Sequence, residues 1–163
     1  MPIKDPKELF VYMLSDLRHG AERSTKAFQE LSQVAQDPDV KEALNARVYV
    51  SGQIVNTLDE CFKLIGEKPV KTTGRIHEVI VEDLRRELGE IQSPEARRLF
   101  VLMKAIHLAH FRIAEYVAAI AAADLTGHYG VGVLLESALA DKLAFVERSR
   151  RLIRRQVEQR IAA

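Results

Sequence analysis

Two residue pairs stand one helical turn apart and could share a metal ion: His107 with His110, and His19 with Glu22. Imidazole and carboxylate groups are ordinary ligands of first-row metals, and an i, i+3 spacing puts both on one helix face. Alone, H-x-x-H is a weak signal, because histidines at surface or core positions are commoner than ligands. The six arginines Arg148, Arg150, Arg151, Arg154, Arg155 and Arg160 form the only dense basic cluster. It offers contacts to nucleic-acid phosphates or an acidic partner. Interleaved Glu147 and Glu158, and the absence of aromatics on which bases stack, favour the plainer reading of cations near a helix C-terminus. The single cysteine, Cys61, has neither a second thiol nor an activating motif, so it reads as a small core residue. Thr126-Gly127-His128-Tyr129-Gly130-Val131-Gly132 contains Gly-x-Gly, but no strand precedes it and it reads as a turn. Spacing suggests no Ser/His/Asp or Cys/His arrangement.

The residues that position these groups follow a helical rhythm. In each of Asp5-Pro6-Lys7-Glu8, Asp37-Pro38 and Ser93-Pro94-Glu95, a capping side chain precedes proline at a first helical position. Gly66, followed by Lys68-Pro69, and Gly127 supply stops. Between these marks the apolar spacing predicts helices over 6–35, 39–65, 73–91, 94–124 and 129 to the end. Leu9, Met13, Leu17, Ala21, Phe28 and Leu31 are expected to line one face of the first. Four helices of 25 residues or more, joined by short turns, imply a bundle, and the shorter one supplies a central crossover. We therefore expect an all-α, ferritin-like four-helix bundle with an additional short helix, forming one domain over 1–163.

Charges nearly cancel, with 24 Lys+Arg against 23 Asp+Glu, so no global field for nucleic acid or membrane is expected. No run of about 20 apolar residues is present, and the start lacks the apolar stretch of a signal peptide. With one cysteine, these features point to the cytoplasm.

Four stretches, in order, resemble the YciE/YciF-type bacterial stress proteins, a ferritin-like family of largely unassigned function. They are KELFVYMLSDLRHGAER, SGQIVNTLDECFKLIGEKP, AHFRIAEY and LTGHYGVGVLLESALADK, and together they span most of 7–150. The resemblance implies a ferritin-like bundle with an extra short helix, often dimeric. It also implies metal-binding positions. The family's first-helix glutamate falls on Ala21. Its second-helix glutamate and histidine fall on Tyr49 and Ala46. The third-helix pair falls on Ala109 and Arg112, while His110 matches. The last acidic pair falls on Asp141 and Lys142.

A di-iron or di-manganese site needs a carboxylate from each helix to offset about four positive charges in a poorly polarisable interior. Alanine supplies none. A guanidinium about 4 Å from a divalent ion, at an effective dielectric near 20, adds roughly 8 kcal/mol of repulsion. We therefore expect no cofactor, and an Arg112–Asp141 bridge in the metal's place, extending to the Tyr49 hydroxyl. The sequence thus points to a stress-associated structural or interaction protein, with a homodimer and an unknown protein as partners and no role for membrane or nucleic acid. The competing reading is an iron- or manganese-dependent oxidoreductase or storage protein with a rearranged site of Glu22, His107, His110 and Asp141.

Overall fold

The computed structural model describes residues 3–161. Among them are five helices: α1 (Pro6–Val34), α2 (Pro38–Ile65), α3 (Arg75–Glu90), α4 (Pro94–Leu125) and α5 (Tyr129–Ile161). The expected boundaries hold to within two residues, apart from the last helix's end, which lies outside the described residues. No strand occurs among the described residues. Each proline start behaves as capping chemistry requires: the side chains of Asp5, Asp37 and Ser93 accept from the backbone N–H of Glu8, Val40 and Ala96. Asp37 also pairs with Arg98 at 2.9 Å, tying the α1–α2 corner to the start of α4.

The long helices form the bundle. The α1–α2 and α4–α5 hairpins pack most extensively, and α1 against α4 and α2 against α5 close the square. Arg18 to Asp59 at 2.5 Å and Ser32 to Asn45 fix the α1–α2 register. The short α3 lies over the α1–α4 side. The 66–74 connector reaches it along α1: Val70 N–H donates to Ser15 Oγ at 2.9 Å, and His19 Nδ1 pairs with Thr72 Oγ1 at 2.9 Å. Gly66 ends α2 in the left-handed region (φ 68°), which a side chain would strain.

Two apolar clusters divide the interior along its length. One, around Phe28, Leu44, Leu102, Leu108 and Phe145, fills the end near the α1–α2 corner. The other, around Phe10, Leu58, Phe62, Ala119 and Leu135, fills the end near the α4–α5 turn. The expected apolar stripe of α1 is one position out at its start: Leu9 is exposed, and Phe10 and Leu14 are buried. Both phases satisfy a helical period there, and only the packing of α1 against α4 and α5 chooses between them.

Candidate functional site

Where the two apolar clusters meet, the bundle interior holds three cations. Arg47 of α2, Arg112 of α4 and Lys142 of α5 are exposed by 4%, 1% and 1%. Each continues its helix's inward stripe: Ala43, Leu44, Arg47, Ser51; Leu108, Ala109, Arg112, Tyr116; and Ala138, Lys142, Phe145. Arg112 and Lys142 face each other because each lies thirteen residues from the turn that joins their helices, at Leu125 and Tyr129. At 1.5 Å rise per residue both sit about 20 Å along the hairpin.

Tyr116 organises this layer. Lys142 Nζ lies 3.7 Å from its ring centroid and the Arg112 guanidinium carbon 5.5 Å, both attracted by the ring's negative face. Arg47 sits 5.5 Å from the Phe28 ring centroid and 5.8 Å from that of Phe145. Hydrogen bonding is uneven. Arg112 is well held: Nη2 donates to the Leu17 carbonyl at 2.7 Å and Nη1 to Glu115 Oε2 at 2.5 Å. Lys142 donates to the Ala138 carbonyl of its own helix at 3.1 Å. Arg47 Nε and Nη1, the Ser24 and Ser51 hydroxyls and the Tyr116 hydroxyl have no protein partner.

Burial first, and for Lys142 and His77 like charge second, shifts the ionisable groups of this layer. Burial, then repulsion from Arg47 and Arg112, pushes Lys142 down to about 6 against the weaker pull of Asp141 and Glu115. Burial lowers Arg47 to about 10. Burial raises Glu115 to about 7, with Arg112 opposing and the neighbouring Asp16 carboxylate reinforcing. His77 of α3, edge-on to Phe111 at 5.2 Å, is lowered to about 4 by burial and then by Arg112. Cys61 is buried, free and pushed up to about 11, an inert thiol as expected.

Glycine makes room for the guanidinium. A Cβ on Gly20 would collide with Arg112 Nη1, and would lie 2.9 Å from its central carbon and 3.0 Å from His77 Cε1. Gly20→Ala should therefore lower the urea midpoint. Forced repacking costs about 1–3 kcal/mol, and the gain in helix propensity of about 1 kcal/mol only partly offsets it. An unchanged or raised midpoint would show that Arg112 has another home.

The sequence expectations divide here. Ala21 and Ala109 are buried, and Arg112 is buried rather than turned to solvent. Its partner is different: Asp141 is exposed, and Arg112 bonds to Glu115 and the Leu17 carbonyl, so the Arg112–Asp141 bridge is corrected. Tyr49 is 70% exposed and Ala46 is exposed. On α2 it is Arg47 that points inward, and on α5 it is Lys142 rather than Asp141. A helix turns 100° per residue, so a shift of one or two positions moves a side chain from core to solvent. The phase of the apolar stripe held the signal that finds Arg47 and Lys142, because both fall in step with it.

The rearranged metal site is not assembled. Glu22, His107, His110 and Asp141 are all exposed, and Glu22 pairs with Arg18 at 2.9 Å. Among the described residues no three His, Cys, Asp or Glu side chains come together in a way that could hold a metal ion. At the bundle centre the inward groups are alanine, arginine, lysine and tyrosine, which do not fit the iron or manganese that ferritin-like relatives suggest.

The sequence of a domain of unknown function, DUF892, matches residues 5–162. The chain belongs to that family. Solved structures give the same fold for this DUF892 protein. The stress protein YciF of E. coli aligns with a TM-score of 0.89 at 20% identity, over 96% of this chain and 99% of that one. YcfI of Rhodopseudomonas palustris, provisionally described as a structural protein, aligns with a TM-score of 0.87 at 22% identity, over 91% and 94%. A protein of Xanthomonas campestris pv. campestris aligns with a TM-score of 0.71 at 16% identity, over 96% and 99%. No curated protein matches at a significant level. The family resemblance and the ferritin-like fold read from the sequence are thus established. No helix among the described residues is long and apolar enough to cross a membrane.

Proposed function

We propose that this DUF892 protein is a non-catalytic, stress-associated bundle with a structural or partner-binding role. In its interior, fixed organic cations stand in place of a di-metal centre. One observation carries the reading: Arg47, Arg112 and Lys142 are buried in one layer with Glu115, itself partly exposed, the only carboxylate among the described residues bonded to any of them. Two divalent ions there would meet two fixed guanidinium charges and no set of ligands to offset them. The structural and stress descriptions of YcfI and YciF support the role by likeness of fold.

A cytoplasmic homodimer belongs to the same proposal. Exposed apolar side chains on the last two helices, including Val117, Leu125, Val133 and Leu143, supply surface for self-association. Light scattering on the purified chain should return twice the monomer mass. The decisive measurement is elemental analysis of untagged protein from cells supplied with iron and manganese. Metal well below one equivalent per chain is expected. Stoichiometric iron or manganese that survives gel filtration would overturn the reading.

A further inference from the structure

We infer that the buried cation layer binds one small monovalent inorganic anion, a halide or a nitrate-like oxyanion, held by Arg47 and Lys142 inside the bundle. The inference rests on the reading of the interior as metal-free and deepens it: the site's charge has been inverted, and so has the charge of what it holds.

Three observations converge. The first is unspent donor capacity. Arg47 is 96% buried, yet its Nε and Nη1 have no protein partner, and the same holds for the hydroxyls of Ser24, Ser51 and Tyr116. Buried donors are seldom left unpaired, and a guanidinium least of all. The second is convergence. Ser51 lies one turn beyond Arg47 on α2, and Ser24 lies one turn beyond Gly20, where Arg112 crosses α1. The Arg47 head reaches Phe145, three residues from Lys142, and Lys142 and Arg112 both sit against Tyr116. All four long helices thus contribute a donor to adjacent turns of one layer.

The third observation is charge. Arg47, Arg112 and protonated Lys142 bring three positive charges. The carboxylates within reach are Glu115 and its neighbour Asp16, on the Arg112 side, and the exposed Asp141, which acts on Arg47 and Lys142 from the bundle surface. Among the described residues no carboxylate is bonded to Arg47 or to Lys142, so one negative charge held between them would pair with both. That argues for a monovalent ion, as does dehydration: the cost of stripping water from an ion grows with the square of its charge, which disfavours phosphate and sulfate. The depressed titration of Lys142 fits the same picture, because a bound anion would restore its proton. Lys142 is faced by Arg47 from α2, by Arg112, Glu115 and Tyr116 from α4, and by Asp141 on its own helix. Occupancy makes the bundle's stability follow the surrounding concentration of the anion.

The test is thermal unfolding of the full chain at pH 7 and fixed ionic strength, with sodium gluconate replaced stepwise by sodium bromide. Gluconate is too large for the interior. A saturating rise in Tm is expected, about 3–6 °C at ten times the dissociation constant. Lys142→Met should stay folded and lose the rise, and Arg47→Met should lose it too. Anomalous diffraction from bromide-grown crystals should place an ion beside Arg47 and Lys142. The inference fails if the rise is absent or unsaturable, if it persists in Lys142→Met, or if bromide lies only on the surface. A rise with manganese that a chelator reverses would instead sink the metal-free reading beneath it.

Discussion

Arg112→Ala should lower the unfolding free energy by about 2–4 kcal/mol near pH 7.5, measured by urea denaturation. Deleting one member of a buried ion pair costs about 3–5 kcal/mol, since it opens a cavity and leaves its partner unpaired. Two bonds go with it, to Glu115 and to the Leu17 carbonyl. Against this stands relief of the repulsion with Arg47, about 1 kcal/mol at a screened interior separation. Lys142 contributes little relief at this pH, because it is largely neutral there. The penalty should also depend on pH. Glu115 titrates near 7 when folded, above its ordinary carboxylate value, and loss of Arg112 raises it further. A raised carboxylate contributes stability below its unfolded value and loses it as pH rises through the folded one. The variant's deficit should therefore grow from pH 5 to pH 8. Arg112→Met keeps the aliphatic volume and should recover at least about 1 kcal/mol of the loss. An alanine variant within about 1 kcal/mol of the parent at every pH would show that the guanidinium supports nothing.

The second large effect has the opposite sign. Lys142→Met should stabilise the anion-free protein by about 1–4 kcal/mol. The lysine has one hydrogen bond, to a carbonyl of its own helix, and two arginines within electrostatic reach. Methionine fills similar volume without a charge to desolvate. The pH profile identifies the cause. Lys142 releases its proton near 6 when folded and near 10.5 when unfolded, so between those values the unfolded chain holds the extra proton. Stability then rises with pH, by at most about 1.4 kcal/mol per unit for one proton. The clean window is pH 7.5 to 9. Below it Glu115 titrates with the opposite slope, and above it Cys61, raised to about 11 from 9.0, begins to reverse the gain. The parent should gain stability across that window in gluconate buffer and Lys142→Met should not. Equal slopes in the two proteins would assign the effect elsewhere.

Why a chain keeps three cationic side chains where methionine and leucine would be more stable is answered by the anion they can share. A buried charge is weak evidence of stability, and its retention fits binding better than folding. The same reasoning explains Gly20, which weakens its helix by about 1 kcal/mol relative to alanine and admits Arg112 in return.

Capping prolines, stop glycines and a 3.6-residue apolar rhythm determined the five helices, their bounds and the bundle, because these signals act within a few residues of chain. That Ala21, Ala109 and Arg112 offer no carboxylate was also legible, since residue type needs no coordinates. Orientation was legible only in part, through the phase of the apolar stripes. Whether Tyr49 or Arg47, and Asp141 or Lys142, turns inward depends on a rotation of 100° per residue, which is fixed only when α2 and α5 dock against their neighbours. The choice of Glu115 over Asp141 for Arg112 belongs to the same decision, as do the five donors left without protein partners. Local sequence settles which side chains a helix offers. Packing of four helices against one another settles which of them must share a space without water.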